Sequence, residues 1–82
     1  MSVQYLLSWE FFGPDAKGTA SHFEVHLQEF LVRNKITVAE MQLLEMIDQR
    51  GWILTYKAQN RDEAITIGKT LRAQDCQEIE SR

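Results

Sequence analysis

His22 and His26 are the only histidines of the chain, and they stand four residues apart with Glu29 three further on. On a helix that spacing puts both imidazoles on one face, where two neutral ring nitrogens can grip a transition metal. A stable centre needs a third and usually a fourth ligand, and Glu29 is the one near candidate. The stretch His22, His26, Glu29, Arg33 therefore reads as a solvated helix face with ordinary side-chain pairs, and no metal is expected. Cys76 stands alone, so it forms no internal disulfide. A thiol becomes a nucleophile as the thiolate, which a nearby base or positive field favours. Asp75, Glu78 and Glu80 supply the opposite field, and Cys76 reads as an unreactive group.

Gly13-Pro14-Asp15-Ala16-Lys17-Gly18 is the one glycine-bracketed loop. Phosphate loops occupy such a place, but Thr19 and Ala20 follow where the Lys-Ser/Thr ending would be. Pro14 also removes a donor and Asp15 repels anions, which leaves an ordinary connection. Glu24, Glu40 and Glu63 each lie three residues after a helix-capping candidate, and that explains them without catalysis. No carboxylate pair is singled out by spacing. The reading assigns no catalytic residue and no cofactor, and expects a non-enzymatic protein.

Eighty-two residues suffice for one domain, spanning 1–82. The net charge of −3 disfavours generic nucleic-acid binding, because phosphate neutralisation needs clustered Lys and Arg. The basic residues are scattered, and Arg33, Lys35, Lys57 and Lys69 are the candidates for an accessory role on nucleic acid. No apolar run approaches membrane-spanning length, and the N-terminus lacks the basic start of a signal peptide. With one cysteine, the chain is expected in the cytoplasm.

Residues 2–12 alternate: Val3, Tyr5, Leu7, Trp9 and Phe11 share one side, while Gln4, Leu6, Ser8, Glu10 and Phe12 share the other. That is a strand with one buried face, ended by the turn signal at Gly13-Pro14. A loop is expected over 15–18. Ser21 and Glu24 form a capping-box pattern, and Phe23, Leu27, Phe30 and Leu31 follow helical spacing up to Asn34. Phe23, Val25 and Leu27 also alternate, which leaves a strand as the competing reading. Over 36–50, Thr37 and Glu40 form a second box with Ile36 and Met41 as staple, which predicts a helix stopping at Gly51. The alternative is a strand over Met41–Ile47 with a turn at 48–51. Residues 52–58 alternate clearly, with Trp52, Leu54 and Tyr56 opposite Ile53, Thr55 and Lys57. Asn60 and Glu63 cap a helix whose inward stripe is Ala64, Ile67, Gly68 and Leu71. Gly68 is disfavoured in a helix, and a close approach to the sheet would explain it. Residues 76–80 read as a short edge strand.

With residues 41–47 as a strand, the order is βαββαβ, the ferredoxin-like split-βαβ sandwich of the α+β class. With them as a helix, it is a β-α-α-β-α-β variant on a smaller sheet. Both place helices on one face of the sheet and leave the other open. On that open face the expected partner-binding residues are Leu6, Glu10, Phe12, Ile53, Thr55 and Lys57, with Val38 and Leu44 as further exposed apolar positions. An RNA-binding sheet would interleave aromatics with Arg and Lys there, and Lys57 is the one cation. The sequence thus points to a protein–protein interaction module, a small regulator, adaptor or inhibitor of the sort a phage or mobile element can encode. It would dock on a protein partner, or on a second copy as a homodimer, through the open face or a strand edge. The alternatives are the nucleic-acid accessory role and a small dimeric enzyme or ligand binder built on Tyr5, Tyr56 and the histidines.

Overall fold

The computed structural model describes residues 2–47 and 50–81. Its elements are β1 (Ser2–Phe12), α1 (Ala16–Arg33), β2 (Met41–Glu45), β3 (Gly51–Ala58), α2 (Arg61–Leu71) and β4 (Asp75–Ser81). The fold is α+β. Four strands form one antiparallel sheet in the order β2-β3-β1-β4. β3 lies between β1 and β2, and β1 lies between β3 and β4. Each helix therefore links two strands that run the same way without touching. None of the helices among the described residues is long and apolar enough to cross a membrane.

The core fills the space between the helices and one sheet face. Leu7 and Trp9 of β1, Leu54, Tyr56 and Ala58 of β3, Leu27 and Leu31 of α1, and Ala64 and Ile67 of α2 form one buried cluster. Burying a side chain of Leu or Ile size contributes roughly 1.5–3 kcal/mol, so this cluster is the main stabilising unit. Tyr5 and Phe11 pack partly against it, whereas Val3 shares their side but is exposed. Trp9 adds a polar tie across the layers: its indole N–H donates to the Leu71 carbonyl at 3.0 Å.

Residues 21–33 are helical, and the competing strand reading is overturned, but the helix starts earlier than its capping pattern predicts. Gly13 turns the chain with φ 99°, and Asp15 is the N-cap without a side-chain cap bond. Ala16 donates to the Gly13 carbonyl at 3.1 Å and Thr19 to the Asp15 carbonyl at 2.9 Å. The expected loop at 15–18 is thus mostly the first helical turn. Buried Ala16 and Ala20 extend the apolar stripe backward from Leu27 and Leu31. Ser21 and Glu24 fall inside the helix and cap nothing. Asn34 does end it, through bonds of both its backbone and side chain to Phe30 O. Lys35 then adopts φ 59°, and the bonds Lys35 N to Val32 O and Ile36 N to Leu31 O complete a Schellman motif.

The helix expected over 36–50 is overturned, and with it the β-α-α-β-α-β arrangement. Residues 41–45 form strand β2, shorter than the Met41–Ile47 alternative. The capping signals lose to tertiary partners. Ala39 N donates to the Tyr56 hydroxyl, Glu40 O accepts from Lys57 N at 3.0 Å, and the Glu40 carboxylate pairs with Lys57 Nζ at 2.7 Å. Residues 48 and 49 of the expected turn lie outside the described residues. Helix α2 keeps its predicted cap: Asn60 Oδ1 accepts from Glu63 N at 2.9 Å, and Asn60 Nδ2 donates to the Glu63 carboxylate at 3.1 Å. Gly68 is not required by close approach, since a methyl there would meet Leu7 at an ordinary 3.7 Å. Gly51 is required, because a methyl there would overlap the Phe11 carbonyl oxygen.

Candidate functional site

Among the described residues no element lies over the sheet face opposite the helices, and the strand register fixes which residues share that face. Leu6 stands opposite Lys57 and Gln77, Ser8 opposite Thr55 and Asp75, Glu10 opposite Ile53, and Phe12 opposite Gly51. On the far side of β3, Gln42 faces Thr55 and Leu44 faces Ile53. The six residues expected for partner binding therefore all lie on one surface. Leu6, Thr55 and Lys57 also line, with Glu40, Gln42 and Leu44, a shallow depression of about 250 Å³. Leu44 and Ile53 are cross-strand neighbours, and Phe12 is 62% exposed. Such a group of apolar side chains in contact with water favours coverage by another surface. Ser8 in the middle of the face is buried among its neighbours.

The charge on this face is mostly negative. Glu10 and Asp75 are exposed, and Lys57, the one cation on this face among the described residues, is held by Glu40 at 2.7 Å. The four cations considered for nucleic acid are not brought together. Lys57 lies on the open face, Lys69 lies on α2 on the other side of the sheet, and Arg33 and Lys35 close α1. A split of this kind makes no continuous track for a phosphate backbone.

On the helix side, Tyr5, Leu7, Ala64, Gly68 and Cys76 contribute to an apolar groove of about 380 Å³ between α2, β1 and β4. Its charged groups, Arg61 and Lys69, are exposed at the rim, and Cys76 is a free, exposed thiol. Tyr56, a candidate for a buried polar group in a ligand site, is occupied structurally. Its hydroxyl accepts from Ala39 N at 3.2 Å and donates to the Thr37 carbonyl at 3.4 Å. Burial raises its pKa above the usual tyrosine value, the Ala39 bond works against that rise, and the Glu63 charge adds to it.

The two histidines meet on the exposed face of α1. Their Nε2 atoms are 2.8 Å apart, with one ring donating to the other, and His26 Nδ1 lies 3.6 Å from Glu29. Among the described residues no three His, Cys, Asp or Glu side chains gather in a metal-binding arrangement. The pair is satisfied by its mutual hydrogen bond.

Sequence reasoning missed two features of the face. Glu40 belongs to it through Lys57, although its spacing suggested a helix cap. Gln74 closes its β4 end: the Gln74 carboxamide accepts from Glu10 N at 3.1 Å and donates to Glu10 O at 3.4 Å. Neither contact leaves a local sequence signal, because each partner is fixed by strand pairing. Comparison of the chain with protein-family models, with curated proteins and with solved structures finds no match.

Proposed function

We propose that this chain is a non-enzymatic docking module that binds a protein partner through the open face of its sheet. The observation that carries the reading is the cross-strand pair Leu44 and Ile53, with Phe12 diagonal to it and Leu6 further along β1, which no described element covers. Apolar contacts flanked by Glu10, Asp75 and the Lys57–Glu40 pair suit a protein surface with an apolar centre and a polar rim. A regulator, adaptor or inhibitor that occludes a site on a larger protein would work this way in the cytoplasm. The βαββαβ order, with β3 inserted between β1 and β2, supports a ferredoxin-like sandwich as the scaffold. That likeness of scaffold carries no function by itself.

Site-specific photo-crosslinking tests the reading. A photoreactive amino acid is placed at Phe12 or Leu44 on the face, and at exposed Val25 or Val32 on α1 as controls, in cells that naturally make the chain. Protein adducts should form from the face positions and not from α1. They should disappear when Ile53→Glu is added. Silent face positions, or equal yields from α1, would overturn it.

A further inference from the structure

The two edges of the sheet are built differently. β4 carries Asp75 and Glu78, charges that discourage another strand from pairing there. β2, Met-Gln-Leu-Leu-Glu, carries a single charge, Glu45 at its end, beside apolar Met41, Leu43 and Leu44. Three of the exposed large apolar residues, Val38, Leu44 and Ile47, lie on it or beside it.

Its hydrogen-bonding groups can be assigned. Lys57 N donates to Glu40 O and Met46 N donates to Gly51 O, so the even-numbered residues of this segment point their backbone groups at β3. Antiparallel strands alternate in this respect. The N–H and C=O groups of Met41, Leu43 and Glu45 therefore point outward from the edge of the sheet.

We infer that this edge pairs antiparallel with the same edge of a second copy, about a two-fold axis at Leu43. The inference goes beyond face docking, since it uses a different surface. Three features select the occupant and the register. With Leu43 on the axis, Met41 faces Glu45 of the second copy, and all three outward residues exchange bonds, about six in total. Moving the axis by one residue, to Gln42, brings Glu45 against Ala39, whose N–H is already given to Tyr56. A shift in the other direction brings Met41 against Ile47, which lies in the turn beyond the strand. The central register also sets Glu45 against Met41 and Glu40 against Met46, so no like charges stand directly opposite. It carries exposed Ile47 toward Val38 and Ala39 of the second copy. A two-fold axis through such a ladder keeps both open faces on one side, so the docking surface of the two copies becomes continuous.

Disulfide trapping reads the register. Gln42 and Leu44 are exposed on the open face, and in this pairing Gln42 of one copy faces Leu44 of the other. That is a non-hydrogen-bonded pair with Cα atoms about 4.5 Å apart, within disulfide reach. In a Cys76→Ser background, a mixture of Gln42→Cys and Leu44→Cys chains should cross-link at least ~10-fold faster than either alone, whose own cysteines are offset by two residues. Sedimentation should show a monomer–dimer equilibrium, in the range of roughly 0.1 mM for so small an interface. Leu43→Pro, which removes an outward N–H, should shift it to monomer. Equal cross-linking of the three samples, or a monomer at every concentration, would overturn the pairing. A monomer whose face positions still photo-crosslink a partner overturns the pairing and leaves the docking reading standing. A dimer in which Phe12 captures no other protein, and Leu44 captures only the second copy, does the reverse.

Discussion

The Tyr56 hydroxyl accepts the Ala39 backbone N–H at 3.2 Å, fastening the irregular segment before β2 to the sheet's interior strand β3. The bond holds 36–40 out of the helix that its capping residues favour. Tyr56→Phe keeps the buried ring and leaves the Ala39 N–H without its partner, so it should cost about 1–2 kcal/mol in denaturant unfolding. The pH dependence has a definite sign. Because burial raises the folded-state pKa of Tyr56, its contribution is fully present below the unfolded tyrosine value and is lost as pH rises through the folded one. Alkaline unfolding should therefore be less steep in Tyr56→Phe than in the parent.

Gly51 and Gly68 should respond oppositely to alanine. At Gly51 the new methyl would overlap the Phe11 carbonyl oxygen, forcing β1 and β3 apart at their shared end. Gly51→Ala should lower stability by about 2 kcal/mol or more, as strain at a closed backbone approach does. At Gly68 the methyl has room against Leu7, and the helix gains propensity, so Gly68→Ala should add roughly 0.5–1 kcal/mol. Paired thermal melts check both.

Lys35 occupies the left-handed position that ends α1, with φ 59°. A side chain there is strained where glycine is not. Lys35→Gly keeps both Schellman bonds and should raise stability by about 0.5–1 kcal/mol, read as an increased midpoint in urea.

Phe12 and Leu54 separate the two faces of the sheet. Leu54 is fully buried, so Leu54→Ala should cost about 2–5 kcal/mol. Phe12 projects into solvent, so Phe12→Ser should change stability by no more than about 0.5 kcal/mol. A Phe12→Ser chain that melts like the parent but no longer crosslinks through Leu44 separates docking from folding.

Period-two alternation made β1 and β3 legible, because each strand buries one side: Leu7 and Trp9 in one, Leu54 and Tyr56 in the other. The same alternation named the open-face residues, since the side away from Leu7 is the side of Leu6 and Phe12. The cap at Asn60 was readable because both of its partners lie within one turn. The start of α1 was not, because Ala16 and Ala20 carry little hydrophobic signal and matter only once the sheet is beneath them. Residues 36–45 failed for a related reason. Thr37 and Glu40 look like a cap locally, but the bonds that decide their conformation come from Tyr56 and Lys57, far along the chain.

Strand β1 has both its neighbours, β3 and β4, later in the chain, at residues 51–58 and 75–81. During synthesis Leu7 and Trp9 are therefore made before either of the strands that flank them. The sheet cannot close around β1 until residues 75–81 have left the ribosome, so its apolar side depends in the interval on α1 and on whatever else shields it.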